Sequence, residues 1–537
     1  MSDDIPTDLE QPGQQSTRGL AGAAALMMMA TLLSAITGLI RASALTWHYG
    51  DTPDLNAYFQ AFRIPDFVYF LVAGGAMRTG FVPIFSEYLA RGDRERAWRT
   101  FSNTLWILAL VATVVVALGM VFARPLTVLV APGWRGPEYR SLFDLTTTLM
   151  RIMFPAEIFM LLGGLLMGAL NAHKHFLMPA LGPICYNLLI IAAALVSPRL
   201  WGLKTVALAV PLAALLCDVL LQTPALRRRG ARLLAVLDFH DEGFRRVLRL
   251  AVPVIFGLAI AEIITVFTSS LATWVDPANG STAFELANRL WKFPTRFIGA
   301  GIAIAVFAYL ADHYARDDHK GFRRDFSFGM RSTLFLSVPP ALIMLILREP
   351  IIRLLYPGLS PERIAVTGEA LFWYSLGIVP LSLVYILARA FYARHDTLTA
   401  VWVGGTSVVV CALVAVPLGL AMGVGGLALA TSVANLANAG LLAWLLQRRV
   451  GGLDGRRIWN SVVRQAVPVV GFGVVCWLTL GLTVGYLGMT GVQAKLVNVF
   501  VPMAVATVVF VLLAWLFRVE ELNSAWNLLI RKQARNR

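Results

Sequence analysis

Four charged residues sit at helical spacing inside one apolar run: Glu285, Arg289, Lys292 and Arg296. Steps of four, three and four place them on one face of a helix. A second apolar run carries Arg63, Asp66 and Arg78. A cation at the centre of a bilayer costs about 2.5–3.5 kcal/mol on insertion scales, so such residues face a polar cavity or a counter-charge. Arginine forks match phosphate oxygens two at a time. Two basic helices at membrane depth would therefore take a bulky anion with a phosphate or pyrophosphate group. The competing reading is structural pairing, Glu285 with Arg289 and Asp66 with Arg63.

Other polar residues in apolar runs are Arg41, Arg151, Glu157, Glu262 and Arg389. Glu262 would carry a coupling proton, bind sodium or form a structural pair. His173-Lys174-His175 has the residue types of a metal site but falls in a loop, where solvation is expected. The four cysteines, Cys185, Cys217, Cys411 and Cys476, lie in apolar runs without CxxC or metal-ligand spacing and read as buried thiols. No GxxxxGK[ST] phosphate loop occurs, so no ATP hydrolysis is expected. No cofactor or metal is expected either.

The elements that position these residues follow from composition. Apolar residues make up 58% of the 537 and charged residues 14%, against about 25% charged in soluble proteins. Apolar runs of about 20 residues recur along the chain, each enough to cross a bilayer as a helix. The reading is an all-α polytopic membrane protein with about fourteen spans. They run over 20–46, 56–88, 101–123, 144–170, 176–198, 202–226, 247–275, 283–313, 330–348, 367–392, 398–420, 423–446, 462–487 and 495–517. The net charge of +15 does not point to nucleic acid, because it sits in short loops. Those loops alternate. Arg91, Arg94, Arg96 and Arg99 lie in one set, with Arg227–Arg229 and Arg448–Arg449, while the loops near 47–55, 274–283 and 420–423 have no Lys or Arg. The positive-inside rule then puts both termini in the cytoplasm. The first 17 residues lack the basic start of a signal peptide and read as a tail.

The chain is also written twice. Pro125, Pro132 and Gly133 recur as Pro350, Pro357 and Gly358, 225 residues on. Pro155 and Pro380 keep that offset. Asn171–His175 faces Tyr392–Asp396 at 221, and Pro65 faces Pro294 at 229. Two six-helix repeats plus two extra C-terminal helices follow, in a parallel duplication typical of some transporters. The expected divisions are a disordered tail over 1–19, a first lobe over 20–230 and a second over 231–450. Residues 451–519 hold the last two spans, and 520–537 form a basic tail.

Several segments resemble the MurJ (MviN) family, the lipid II flippases of the MOP exporter superfamily. Gly38-Leu39-Ile40-Arg41 is similar to its G-F-x-R. Asn56 to Pro65, NAYFQAFRIP, is similar to D-A-F-x-x-A-F-R-I-P. Gly75 to Tyr88 resembles G-A-x-x-x-A-F-V-P-V-F-x-E-Y, and Ala287-Asn288-Arg289-Leu290 with Phe293-Pro294 resembles A-D-R-L…F-P. The resemblance implies two six-helix lobes round a cationic cavity and a groove for a polyprenyl tail on the last two helices. It implies cavity roles for Ser34, Arg41 and Arg289. Departures fall at Ala35, Asn56, Tyr69, Gly74 and Lys292, while Arg78 and Arg296 are gained. The expected substrate-binding set is Ser34, Arg41, Asn56, Arg63, Arg78, Arg289, Lys292 and Arg296.

The resemblance implies a non-enzymatic transporter in the bacterial inner membrane. It would flip lipid II, the lipid-linked peptidoglycan precursor, from the cytoplasmic to the outer leaflet by alternating access, for cell-wall synthesis and cell shape. Its partners would be that lipid, the surrounding membrane lipid and an unspecified coupling ion. Rival readings are a flippase for another polyprenyl-linked glycan, a cation antiporter, which a cationic cavity disfavours, and a non-transporting cell-wall scaffold.

Overall fold

The computed structural model describes residues 12–71, 80–450 and 452–522. Among them the regular elements are helices, the one element whose backbone groups are all satisfied within its own segment. Ten described helices are long and apolar enough to cross a membrane, and eleven if the bent pair Pro361–Ser375 and Ile378–Ala393 is one span. The expected fourteen is not reproduced by this count. The eleventh and twelfth expected spans share the helix Thr397–Val450, broken at Gly423 with φ 64°. The second is divided between Asp54–Ala61, Arg63–Tyr69 and Val82–Ala90, with 72–79 outside the described residues. The seventh lies in Glu242–Val275, whose apolar part counts only as a short helix, Glu262–Val275.

The duplication is visible element by element. Arg94–Val121 and His319–Ile346 both have 28 residues, at an offset of 225. Ala123–Val130 and Arg348–Leu355 keep it, with 8 residues each. Both long helices start on an aspartate cap: Asp93 accepts from the Arg96 amide, and Asp318 from the Gly321 amide. Such caps satisfy one of the free N–H groups of the first turn. The residue before each cap is left-handed, Gly92 at φ 78° and Asp317 at 53°. Beyond the short helices the connection is longer in the first repeat, and the offset falls to 221. Lys174 (58°) then matches His395 (59°), and Gly202 (61°) matches Gly423 (64°).

This frame corrects one pairing. Pro155 caps Ala156–Ala172, whereas the matching helix Ile378–Ala393 is capped by Gly377 and holds Pro380 in its first turn. The two prolines share an offset but not a structural position. The helix of the first span also starts earlier than expected, at Pro12 inside the presumed tail; proline suits a first helical turn.

Two compact units emerge. One comprises residues up to Ala44, Pro65–Ala123 and Thr148–Leu258. Its core includes Phe81, Phe85, Trp98 and Phe101. His173 is not solvated as expected: its ring stacks on Trp98 at 5.7 Å and meets Phe85 edge-on. Burial, and then the charges of Arg229 and Arg94, push its pKa down. The other unit comprises Leu45–Ile64, Arg124–Thr147 and Ala259–Arg537. In it Phe335, Phe472 and Phe510 join the last two long helices, Gly455–Leu487 and Val492–Leu516, to His319–Ile346.

Candidate functional site

The helix Gly280–Ala315 runs unbroken through its charged row. Glu285 is the centre of the site. Its Oε2 accepts from Arg63 Nη2 at 2.6 Å and its Oε1 from Arg289 Nε at 2.7 Å. The carboxylate is 12% exposed and the Arg63 side chain 10%. One buried acid thus holds two arginines, and the partner of Arg63 here is Glu285 from the eighth expected span. Arg63 keeps a buried Nε with no hydrogen-bond partner. The Arg289 guanidinium lies 5.8 Å from the centre of the Phe59 ring, a cation–π contact.

Lys292 continues the row half-buried, and Arg296 is exposed. Four cations thus accompany one carboxylate, and the excess is positive. Glu262 on the preceding helix adds a negative charge near Lys292. Planar guanidinium groups already fixed by a carboxylate are pre-organised for a second set of anionic oxygens.

The segment from Asp54 to Arg63 is held within its own unit by spacing of the same kind. Asn56, Gln60 and Arg63 lie at i, i+4 and i+7. Asn56 Nδ2 donates to the Ala278 carbonyl at 2.6 Å, and its Oδ1 accepts from the Thr282 amide at 2.8 Å. Gln60 Nε2 donates to the Ser269 carbonyl at 2.8 Å. Asn56 is fully buried, so in this arrangement both ends of its amide are spent on backbone. Arg363 binds the same region, donating to the carbonyls of Gly50 (3.0 Å), Thr52 (2.8 Å) and Ala278 (3.2 Å). Trp134 Nε1 donates to the Pro277 carbonyl at 2.9 Å.

The remaining expected residues lie in the other unit or outside the description. The Ser34 carbonyl accepts from Asn187 Nδ2 at 3.2 Å. The Arg41 guanidinium lies 5.9 Å from the Tyr186 ring centre. Arg78 and Gly74 lie outside the described residues. So one unit brings together Arg63, Arg289, Lys292 and Arg296, with Asn56 as their anchor, and the other carries Ser34 and Arg41. Sequence reasoning missed Arg363. Its signal was an arginine near the helix ends whose neighbouring loops, 47–55 and 274–283, hold no other Lys or Arg.

The family model described as lipid II flippase MurJ matches residues 47–512. A Vibrio cholerae protein named probable lipid II flippase MurJ is 26% identical over 92% of this chain and 96% of its own length. A Burkholderia cenocepacia protein named lipid II flippase MurJ is 29% identical over 89% and 93%. Among solved structures, a lipid II flippase MurJ in an inward closed conformation aligns with a TM-score of 0.75 at 21% identity, covering 92% of this chain and 98% of that one. An inward-facing multidrug-resistance MATE transporter of the MOP superfamily gives 0.67 at 13% identity, covering 80% and 99%. Those structures speak for the fold; the family match spans most of the sequence, and the chain is an integral membrane protein that belongs to the lipid II flippase MurJ family.

Proposed function

We propose that this protein flips lipid II, the pyrophosphate-linked peptidoglycan precursor, from the cytoplasmic to the outer leaflet of the bacterial inner membrane. The observation that carries the reading is the convergence of Arg63 and Arg289 on Glu285 within apolar helices. The pyrophosphate would bind at Arg63 and Arg289, with Lys292 and Arg296 extending the positive row; Ser34, Arg41 and Arg78 are further proposed substrate-binding residues. The polyprenyl tail stays in lipid, along the last two helices. The expected lobes, 20–230 and 231–450, would alternate access to this surface. Solved MATE transporters of the same fold carry the descriptions inward-facing and outward-facing, which supports such a cycle. No covalent step is needed. An inside-negative potential favours outward movement of an anion by about 2.3 kcal/mol per charge per 100 mV.

Both termini are assigned to the cytoplasm on loop charge. With Asp51→Cys, Asp276→Cys and Arg94→Cys variants, an impermeant thiol reagent outside intact cells should label the first two and spare the third. Labelling of the third would reverse the orientation. The function is tested by depleting the protein and measuring which lipid-linked precursor accumulates in the inner leaflet. Accumulated lipid II supports the reading. Accumulation of a different polyprenyl-linked glycan supports the alternative substrate, which the replacement of family residues by Lys292 and Tyr69 favours. Unchanged precursor pools would leave a scaffold.

A further inference from the structure

The helix that closes the first repeat is irregular. It is α-helical over Leu203–Ala213 and π-helical over Ala214–Leu220. π turns inside helices are frequent at functional sites. Asp218 lies in this stretch and is 7% exposed. Gln222, four residues on, is 0% exposed. Neither the oxygen nor the nitrogen of its amide has a hydrogen-bond partner. Buried amides are otherwise satisfied, so this one is free to take a ligand.

Two glycines let their helices pack close against this stretch. A Cβ on Gly163 would stand 2.4 Å from the Asp218 Cβ. A Cβ on Gly182 would stand 3.3 Å from Asp218 Oδ1 and 3.4 Å from Gln222 Nε2. The Asp218 carboxyl and the Gln222 amide therefore meet at one place, beside Gly182 on the helix Leu177–Val196. Pro183 beside it has no N–H, so the Pro179 carbonyl one turn back lacks its helical donor. That adds an oxygen on the same helix.

The second repeat shows that the scaffold does not require these groups. At the offset of 221 set by Gly202 and Gly423, Asp218 becomes Ala439 and Gln222 becomes Ala443. Gly163 becomes Val384 and Gly182 becomes Val403. All four are part of, or packed on, one apolar core. The first repeat has a carboxyl, an amide and two glycines where the second has hydrocarbon side chains.

We propose that Asp218 and Gln222 form a site for one monovalent cation, a proton or Na+, inside the first repeat. One carboxylate matches one positive charge, whereas a divalent ion would call for more oxygen ligands and more charge. Gln222 Oε1 is the second oxygen. Titratable groups on the elements packed round the site are Glu157, Cys185, Tyr186, Cys217, Lys204 and Arg227. The two cations stand at opposite ends of the helical run, and none of the six forms an ion pair with Asp218. The site is independent of the transported head group.

The test is carbodiimide labelling of the purified full-length protein, read by mass spectrometry at Asp218. Dicyclohexylcarbodiimide modifies carboxyl groups in apolar surroundings when they carry a proton, and a bound Na+ blocks it. If the ligand is a proton, the adduct falls by about tenfold per pH unit above a midpoint and ignores Na+. If it is Na+, adding Na+ in place of K+ at fixed pH suppresses the adduct at least about fivefold, with half-suppression reporting affinity. Gln222→Leu should shift either midpoint, and Gly182→Ala should do so by crowding both groups. An adduct at Asp218 that responds to neither pH nor Na+, or no adduct under any condition, overturns the proposal. Each readout is made on labelled protein and needs no flipping assay, so it fails or holds separately from the function proposed above.

Discussion

The two repeats agree where the backbone sets the terms and part where side chains do. Arg94–Val121 and His319–Ile346 share length, cap and the left-handed residue before the cap. Even the surface ion pair leading into each cap is kept, Glu87 with Arg91 at 2.7 Å and Asp312 with Arg316 at 2.9 Å. Interior chemistry is not kept. The second repeat carries Glu285, Arg289, Lys292 and Arg296 on an unbroken helix of 36 residues, where the first has the short pieces Asp54–Ala61 and Arg63–Tyr69. The first repeat carries Asp218 and Gln222 where the second is apolar. Duplication has conserved the joints and released the buried positions, so the two halves hold different polar groups on one plan.

The sharpest way to break this contrast is to remove Glu285. Glu285→Ala leaves Arg63 buried without its counter-charge, a loss of about 3–5 kcal/mol for a broken buried pair. Thermal unfolding of the purified protein should show it, with Glu285→Gln milder. Equal melting for wild type and Glu285→Ala would make the cluster a surface feature. Next comes Ala439→Asp, which carries the first repeat's acid into the second. Without a free amide or a neighbouring glycine it should cost about 2–3 kcal/mol. A variant as stable as wild type would show that the second repeat has room for a polar site after all.

Arg289→Ala tests function more than folding, since Glu285 keeps Arg63. A lost charge-assisted hydrogen bond is worth about 1.5–3 kcal/mol, or roughly tenfold to a hundredfold in binding. At native expression the variant should fail to sustain growth of a depleted strain while inserting normally; normal growth would make Arg289 structural. The smallest effect belongs to Glu87, whose carboxylate Arg246 holds at 2.7 Å. That hydrogen bond and charge, aided by Arg91, keep its pKa below the ordinary carboxylate range. The folded pKa is lowered, so the stabilisation is present above the unfolded value and is lost as pH falls through the folded one. The gap in melting between wild type and Glu87→Gln should be small and close below about pH 4. A gap that widens in acid would reverse the sign.

The repeat was legible because caps and left-handed turns leave local signatures. Asp93 and Asp318, 225 residues apart like the repeated prolines, form the two aspartate caps. The charged row was legible because helical spacing alone aligns it. Its partner was not: Arg63 has Asp66 three residues away, yet it pairs with Glu285, 222 residues on. The backbone ties of Asn56 and Arg363 were equally silent, since a carbonyl acceptor can belong to any residue. Pro155 and Pro380 misled because a change in loop length shifts the frame without altering either proline.

The close approach of bare backbone around Gly50, Gly133 and Gly358 has a practical side. A Cβ on Gly133 would fall 1.8 Å from the Thr273 carbonyl oxygen, and one on Gly50 would fall 2.7 Å from Gly358. A single methyl group at either place is a wedge, too large for the seam and too small to disturb much else. Gly133→Ala and Gly50→Ala are therefore levers by which the arrangement seen here can be disfavoured without touching one charged residue. They give a handle for trapping other states of the transporter in the absence of any substrate.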